Sequence, residues 1–485
     1  MVLSRLTSSY TDKKAQGCYY SLVIFREACA ENGVNSNSRL SMSKKIFLKG
    51  TLILACTGLI SRIAGFFYRI FLSYAIGAEG LGLYQLVLPL QGLMAALSYT
   101  GIQSALSRLI ASRLALQEKK EARFSLVTGT LIAVFFSAAA GFLLFQHAYF
   151  FASTILKTPQ TASLLRITAV SMPLCAIHSC IDSYYYARKK ASVPAAVQLS
   201  EQAVRIGTTY ILYLIFLSEG RPITALIAAG GSLAGEAAAS LVSLLVVSFH
   251  FGNHPVQEKN PIRIFSLLKD LFTLSFPISL NRILLTLLGS IEAVLIPQML
   301  LRSGMTASDS LKIYGIFTGM ALPLLLFPST LTSSAAVMLM PSIAQLDALG
   351  EQKQIRRVTD QTFFLCMFLG FLCGSGFFLF GPFLGALLFH SQTAGTYIRY
   401  LSFICPFLYT NTMLTSILQG LGKPGICLIH SIAGILIRIF SVIFIIPLTG
   451  IRGYFYGFFL CELLLTLLHV KALKFPYRQS ANNRL

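Results

Sequence analysis

The sequence of 485 residues has no tryptophan, little charge, and within that charge few acids. Charged residues make up 12% and hydrophobic residues 55%. Soluble domains carry about 25% charged residues, so this composition argues against a soluble fold and for a polytopic membrane protein. Acids are the scarcer sign, with 18 Asp and Glu against 39 Lys and Arg and a formal net charge of +21. The basic residues fall in short loops between apolar segments, where they set topology and meet anionic headgroups; no nucleic-acid-binding motif accompanies them. Without tryptophan, any aromatic belt must be tyrosine and phenylalanine. No CxxC pair or Cys/His run with zinc spacing is present. The cysteines inside apolar segments (Cys56, Cys175, Cys180, Cys366, Cys373, Cys405, Cys427, Cys461) read as small core hydrophobes, and no metal site is expected. Walker A, HExxH, GxSxG and outward acidic DxD-type patterns are missing too. That argues against ATP-driven transport by this chain alone, hydrolysis and glycosyl transfer; no enzyme and no cofactor is expected.

What is present is a succession of membrane-length apolar segments. Six lie near 51–76, 81–105, 122–145, 162–186, 193–217 and 222–250, and six near 270–300, 311–340, 360–386, 395–419, 424–448 and 451–473. Loops on one side carry Lys44, Lys45 and Lys49, then Arg113, Lys119, Lys120 and Arg123, Arg188, Lys189 and Lys190, Lys259, Arg263 and Lys269, Lys353, Arg356 and Arg357, Lys423, and Lys471, Lys474 and Arg478. The opposite loops hold Lys157, Arg221, Arg302, Lys312 and Arg452. The positive-inside rule therefore places both termini in the cytoplasm. Residues 1–42 are polar and patternless, and Met42 followed by Ser43-Lys44-Lys45 resembles a conventional start, so 1–42 is expected to be an extension or a disordered tail. The polar stretch 251–269 divides helices 1–6 (43–250) from helices 7–12 (270–475), with a tail at 476–485. An internal repeat supports the division: Ser61-Arg62 matches Asn281-Arg282, Leu88-Pro89-Leu90 matches Leu322-Pro323-Leu324, and Pro173, Lys190 and Arg205 match Pro406, Lys423 and Arg438 at a constant offset of 233. Six being even, the halves run parallel, with a path between them.

Helix 1 carries Ser61-Arg62-Ile63-Ala64-Gly65-Phe66-Phe67-Tyr68-Arg69. Arg62 lies near the middle of the segment, and Arg69 follows on the same face, about 10 Å further along the axis. A mid-membrane arginine costs roughly 2.5–3.5 kcal/mol on insertion scales, so it needs a watery cavity, a buried partner or an anionic ligand. Arg62, Arg69 and Arg282 are the candidate substrate-binding residues; snorkelling to the interface is the other account of Arg69. Other charges within the segments are Asp182, Glu201, Arg205, Glu236, Glu292, Arg438 and Glu462. Glu201 and Arg205 are an i,i+4 pair on helix 5, and His178 and Asp182 on helix 4 form a second such pair. Glu292 could neutralise an arginine, hold a coupling cation or take a proton; Asp182, Glu201 and Arg205 are the other candidates for coupling (Na+ or H+) or charge balance. Pro323 and Pro328, with Gly315 and Gly319, make helix 8 the most breakable element.

The helix 1 run, Leu88-Pro89-Leu90 and Ile417-Leu418-Gln419-Gly420-Leu421-Gly422-Lys423 resemble the stage V sporulation protein B and polysaccharide-export family. This family belongs to the multidrug/oligosaccharidyl-lipid/polysaccharide flippase superfamily, which also holds the lipid II flippase and the MATE drug exporters. The resemblance covers 43–475. It implies an all-α, MATE-like pair of six-helix lobes around a central cavity. It further implies a flippase that moves an undecaprenyl-diphosphate-linked sugar or peptidoglycan precursor across the cytoplasmic membrane by alternating access, in spore cortex or cell-wall polysaccharide synthesis. Membrane lipids and cell-wall synthases are the accompanying partners. Tyr68 stands where the lipid II flippases have their second helix 1 arginine. The competing reading is a cation-coupled MATE-type multidrug exporter, which needs an acidic cavity.

Overall fold

The structure, a computed structural model, describes residues 38–188, 190–253 and 264–474. The expected extension up to residue 37, most of the polar linker and the tail from 475 lie outside the described residues. The chain divides into two compact units, Met1–Lys49 and Gly50–Leu485. Residues 38–49 of the first unit are helical, so the helix is already formed at Ser38, before Met42.

Twelve helical rods follow one another among the described residues: α1 (Ser38–Ala75), α2 (77–115), α3 (119–155), α4 (Pro159–Ala187), α5 (Ser192–Ser218), α6 (Leu226–Asn253), α7 (Ile264–Arg302), α8 (307–348), α9 (Gln352–Phe389), α10 (Gln392–Gly420), α11 (Pro424–Thr449) and α12 (Ile451–Lys474). Ten helical stretches are long and apolar enough to cross a membrane. Ser192–Ser218 is not among them, its middle carrying Gln198, Glu201, Gln202 and Arg205. The outward faces are apolar as lipid requires: Phe135 and Phe142 on α3 and Phe364, Phe368 and Phe371 on α9 are all exposed.

Several rods are interrupted where a proline removes an N–H. In α8 a π turn, Ile316–Ala321, precedes Pro323, and the helix breaks again at Phe327-Pro328. In α11 a π turn, Ser441–Ile445, precedes Pro447, and in α10 a 3-10 turn, Ser402–Ile404, precedes Pro406. Each change of register accommodates a carbonyl that proline cannot satisfy. α1 and α2 are separated by Ile76 alone, and Gly77 makes the reversal with φ of 69°.

The two halves repeat one pattern of packing. α3 lies on α4, α4 on α6 and α5 on α6; in the second half α9 lies on α10, α10 on α12 and α11 on α12. The halves meet along α2 and α7 and, near one end, along α2 and α8. At that end the backbones nearly touch: a Cβ added at Gly82 would lie 2.2 Å from the Leu311 carbonyl oxygen, and one added at Gly315 would lie 2.1 Å from that of Ala78. Ser308 Oγ donates to Glu79 Oε2 at 2.6 Å, and Tyr74 and His390 Nδ1 share a hydrogen bond of 2.6 Å there. This is the end carrying few basic residues. Toward the basic end α2 and α7 stay together, with Ser279 against Gly101 and Arg113 Nη2 3.1 Å from Asp270 Oδ2. The matching stretch of α8, Ser329–Ala348, packs on α10 instead.

Candidate functional site

α1 is held against α5 by two contacts seven residues apart. Gln202 Nε2 donates to the Ser61 carbonyl at 3.3 Å, and the Tyr68 hydroxyl bonds Thr209 Oγ1 at 3.0 Å. Residues on a helix advance by about 100°, so Arg62, Phe66 and Arg69 share a flank roughly a quarter to a third of a turn away from α5. That flank meets α8, where the Phe66 and Phe327 ring centroids are 5.2 Å apart. Arg62, one turn from Phe66 toward the basic end, is exposed and makes no hydrogen bond or ion pair to a described residue. Arg69, one turn toward the other end, is half-buried and lies within electrostatic reach of Tyr84 on α2.

Arg282 occupies the corresponding place on α7. The strip of α7 that faces α2 is set by small residues: Ser279 against Gly101, Thr286 against Gly92, and Ser290, whose Oγ donates to the Pro89 carbonyl at 2.8 Å. Arg282 flanks this strip. Its side chain is exposed and also makes no hydrogen bond or ion pair to a described residue. Its backbone carbonyl accepts from Thr286 Oγ1 at 2.7 Å. Arg62 thus lies one turn from the α1–α8 contact and Arg282 beside the α2–α7 contact, and no direct bond joins them.

The other predicted residues lie elsewhere. They form a buried charge cluster in each half. In the first half Arg205 bonds Glu201 on its own helix, as their spacing predicts, and Gln202 Oε1 at 3.2 Å. The sequence did not reveal the third member: Glu236 on α6 places Oε1 3.5 Å from Arg205 Nη2 and Oε2 2.8 Å from His178 Nε2. His178 is therefore a closer partner of Glu236 than of Asp182, whose Oδ2 is 4.0 Å from Nδ1. A hydrogen bond of 2.8 Å from Tyr84 to Ser232 ties α2 to α6 one turn from Glu236.

In the second half Glu292 does not neutralise Arg282. It turns into its own half, where Arg438 Nη2 donates to Oε2 at 3.0 Å, Arg438 Nε lies 2.9 Å from Oε1, and the Tyr454 hydroxyl donates to Oε1 at 2.7 Å. Glu462 accepts from Asn411 Nδ2 at 2.8 Å, and Asn411 Oδ1 accepts from Thr466 at 2.9 Å. Buried charges need such partners, because an isolated ion in a low-dielectric interior is costly. Glu236, Arg438 and Tyr454 are the partners sequence reasoning left unassigned. The repeat held one signal for them, since Arg205 and Arg438 are equivalent and each anchors its half's cluster.

A family model described as polysaccharide biosynthesis protein matches residues 47–347. Stage V sporulation protein B of Bacillus subtilis (strain 168) is 31% identical over 441 residues, covering 88% of this chain and 83% of that protein. The lipid II flippase MurJ of the same organism is 23% identical over 420 residues, covering 82% of this chain and 77% of that protein. Among solved structures, the inward-facing conformation of a multidrug resistance MATE family transporter of the MOP superfamily superposes with a TM-score of 0.64 at 14% identity, covering 90% of this chain and 99% of that one. At that identity the likeness shows the fold: an all-α, MATE-like polytopic membrane protein with two lobes around a central cavity. Of these three, one is a lipid II flippase and one a multidrug resistance transporter.

Proposed function

The chain belongs to the polysaccharide biosynthesis protein family, and from that membership we propose that it flips an undecaprenyl-diphosphate-linked sugar or peptidoglycan precursor across the cytoplasmic membrane by alternating access. That it is a multi-pass membrane transporter of the MOP superfamily is the premise; the substrate is the proposal. The observation that carries it is the location of uncommitted charge. Arg62 and Arg282 stand exposed on α1 and α7, beside the contacts with α8 and α2, without a bonded partner among the described residues. Glu201, Glu236, Glu292 and Glu462 are all engaged inside the lobes. A diphosphate presents oxygens that guanidinium forks bind bidentately. Arg62 and Arg282 grip the diphosphate in this reading, and Arg69 takes it over one turn beyond Phe66.

The basic end faces the cytoplasm in this reading, with both termini there, and cell-wall synthases use the delivered precursor in spore cortex or wall polysaccharide synthesis. A Na+ or H+ gradient supplies the drive. Asp182 and Glu201 with Arg205 are the charges that respond to it, whereas Glu292 balances Arg438. The multidrug-exporter reading rests on fold likeness alone. The test is reconstitution of the purified chain in liposomes with a fluorescent polyprenyl-diphosphate sugar in one leaflet, beside a drug-like cation. Transfer of the lipid without cation efflux is expected. Cation efflux without lipid transfer overturns the proposal.

A further inference from the structure

The cluster buried in the first half contains more than an ion pair. Cys175 and His178 lie one turn apart on α4, and Glu236 faces them from α6; their sulfur, nitrogen and oxygen atoms all lie within 4.8 Å of one another. We propose that Cys175, His178 and Glu236 form a site for a thiophilic divalent metal ion such as Zn2+, with Asp182 orienting the histidine. Thiolate, imidazole and carboxylate are the zinc donor set, and a tetrahedral ion holds its ligand atoms about 3–4 Å apart. Small side-chain rotations close the difference.

Three further features fit an ion. First, the cluster is rich in acids: Asp182, Glu201 and Glu236 offer three carboxylates to Arg205 and His178, and a dication that displaces two protons leaves the net charge of the low-dielectric interior unchanged. Second, the far side of the histidine is prepared. Nδ1 of His178 and Oδ1 of Asp182 are both buried without a hydrogen-bond partner, and Nδ1 faces Oδ2 at 4.0 Å. An imidazole that ligates through Nε2 carries its proton on Nδ1, and a carboxylate beyond that proton is the usual orienting partner. Third, Arg205 approaches only Oε1 of Glu236, which leaves Oε2 for the ion. His178 and Glu236 each keep 14% side-chain exposure, so the cluster is not sealed.

Binding exchanges bonds in a balanced way. The metal enters as a hydrated dication, the Cys175 thiol gives up its proton to solvent, and the proton held between His178 Nε2 and Glu236 Oε2 is released with it. Two metal–ligand bonds to nitrogen and oxygen replace that hydrogen bond. A metal ion here clamps α4 to α6, whatever drives transport.

The test uses the purified full chain in detergent, stripped with a chelator and titrated with Co2+ and then Zn2+. One equivalent of Co2+ is expected to give a thiolate-to-cobalt charge-transfer band that Zn2+ bleaches. Cys175→Ser and Glu236→Gln lose the band, Asp182→Asn weakens binding about 10–100-fold, and Cys180→Ser, buried on the same helix, keeps it. Each variant's unfolding temperature in chelator verifies its fold. A wild-type chain with no such band, or a band that survives in folded Cys175→Ser, overturns the site.

Discussion

Arg438 and Glu292 meet head-on across α11 and α7, the Nη2 and Nε atoms of one 3.0 and 2.9 Å from the two carboxylate oxygens of the other. The pair fixes the role of α7. That helix runs along α2 of the opposite half for most of its length, through Ser279, Thr286 and Ser290, and this ion pair ties it back to its own half. α7 thus links the two halves, packed on one and ion-paired into the other.

Removing one partner strands the other charge in the interior. Glu292→Ala or Arg438→Ala is expected to cost about 3–5 kcal/mol, read as a fall in unfolding temperature in detergent. The double replacement Glu292→Met/Arg438→Met recovers most of that loss. Single variants as stable as wild type contradict the pairing.

The end closed by Gly82 and Gly315 has no room for a side chain. Because the atoms in the way belong to the backbone of Ala78 and Gly82, Gly315→Val cannot be absorbed by a rotamer change. It is expected to force the halves apart there at about 1–3 kcal/mol. Spin labels at Tyr74→Cys and His390→Cys report a longer distance and lipid transfer falls. Gly289→Ala, with open space around its Cβ position, leaves both unchanged. An unaltered distance in Gly315→Val contradicts the closure.

Arg113 joins Glu118, Glu121 and Asp270 at the basic end, at 2.9, 2.7 and 3.1 Å. The Glu118 hydrogen bond leads in raising its pKa above the ordinary arginine value, with burial opposing and the neighbouring acids adding to the rise. A raised pKa gives stability that is present below the unfolded value and lost only as pH climbs through the folded one. Arg113 therefore contributes evenly from pH 6 to 9, and the network responds to salt. Asp270→Asn is expected to lose up to about 1 kcal/mol at low salt and almost nothing at high salt. A pH-dependent loss in that window contradicts the assignment.

Arg205 and Arg62 differ in how far the fold depends on them. Arg205→Ala leaves Glu201 without its cation and Glu236 with His178 alone, and is expected to lower the unfolding temperature sharply. Arg62→Ala removes an exposed side chain that bonds no described residue and is expected to stay within about 0.5 kcal/mol of wild type. Equal thermal losses contradict that difference.

Local features were legible in the sequence. The apolar segments, the Glu201–Arg205 spacing and the weakness of α8 at Pro323 and Pro328 depend on neighbours a few residues apart, and the structure has a rod at each segment. Tertiary partners were not legible. Glu292 reaches Arg438 across 146 residues and His178 reaches Glu236 across 58, choices made by how helices cross rather than by spacing. Cys175 looked like a small hydrophobe for the same reason: His178 is one turn away on its own helix, but Glu236 comes from another. The repeat of Arg205 at Arg438 was the one long-range clue, and it marks both clusters.

The most direct measurement of the central claim compares lipid transfer by wild type with that by Arg62→Ala/Arg282→Ala in the same liposomes, with unfolding temperatures taken alongside. Loss of polyprenyl-diphosphate sugar transfer at an unchanged unfolding temperature is the predicted result. Transfer at the wild-type rate by the folded double variant would contradict a substrate site built on those two arginines.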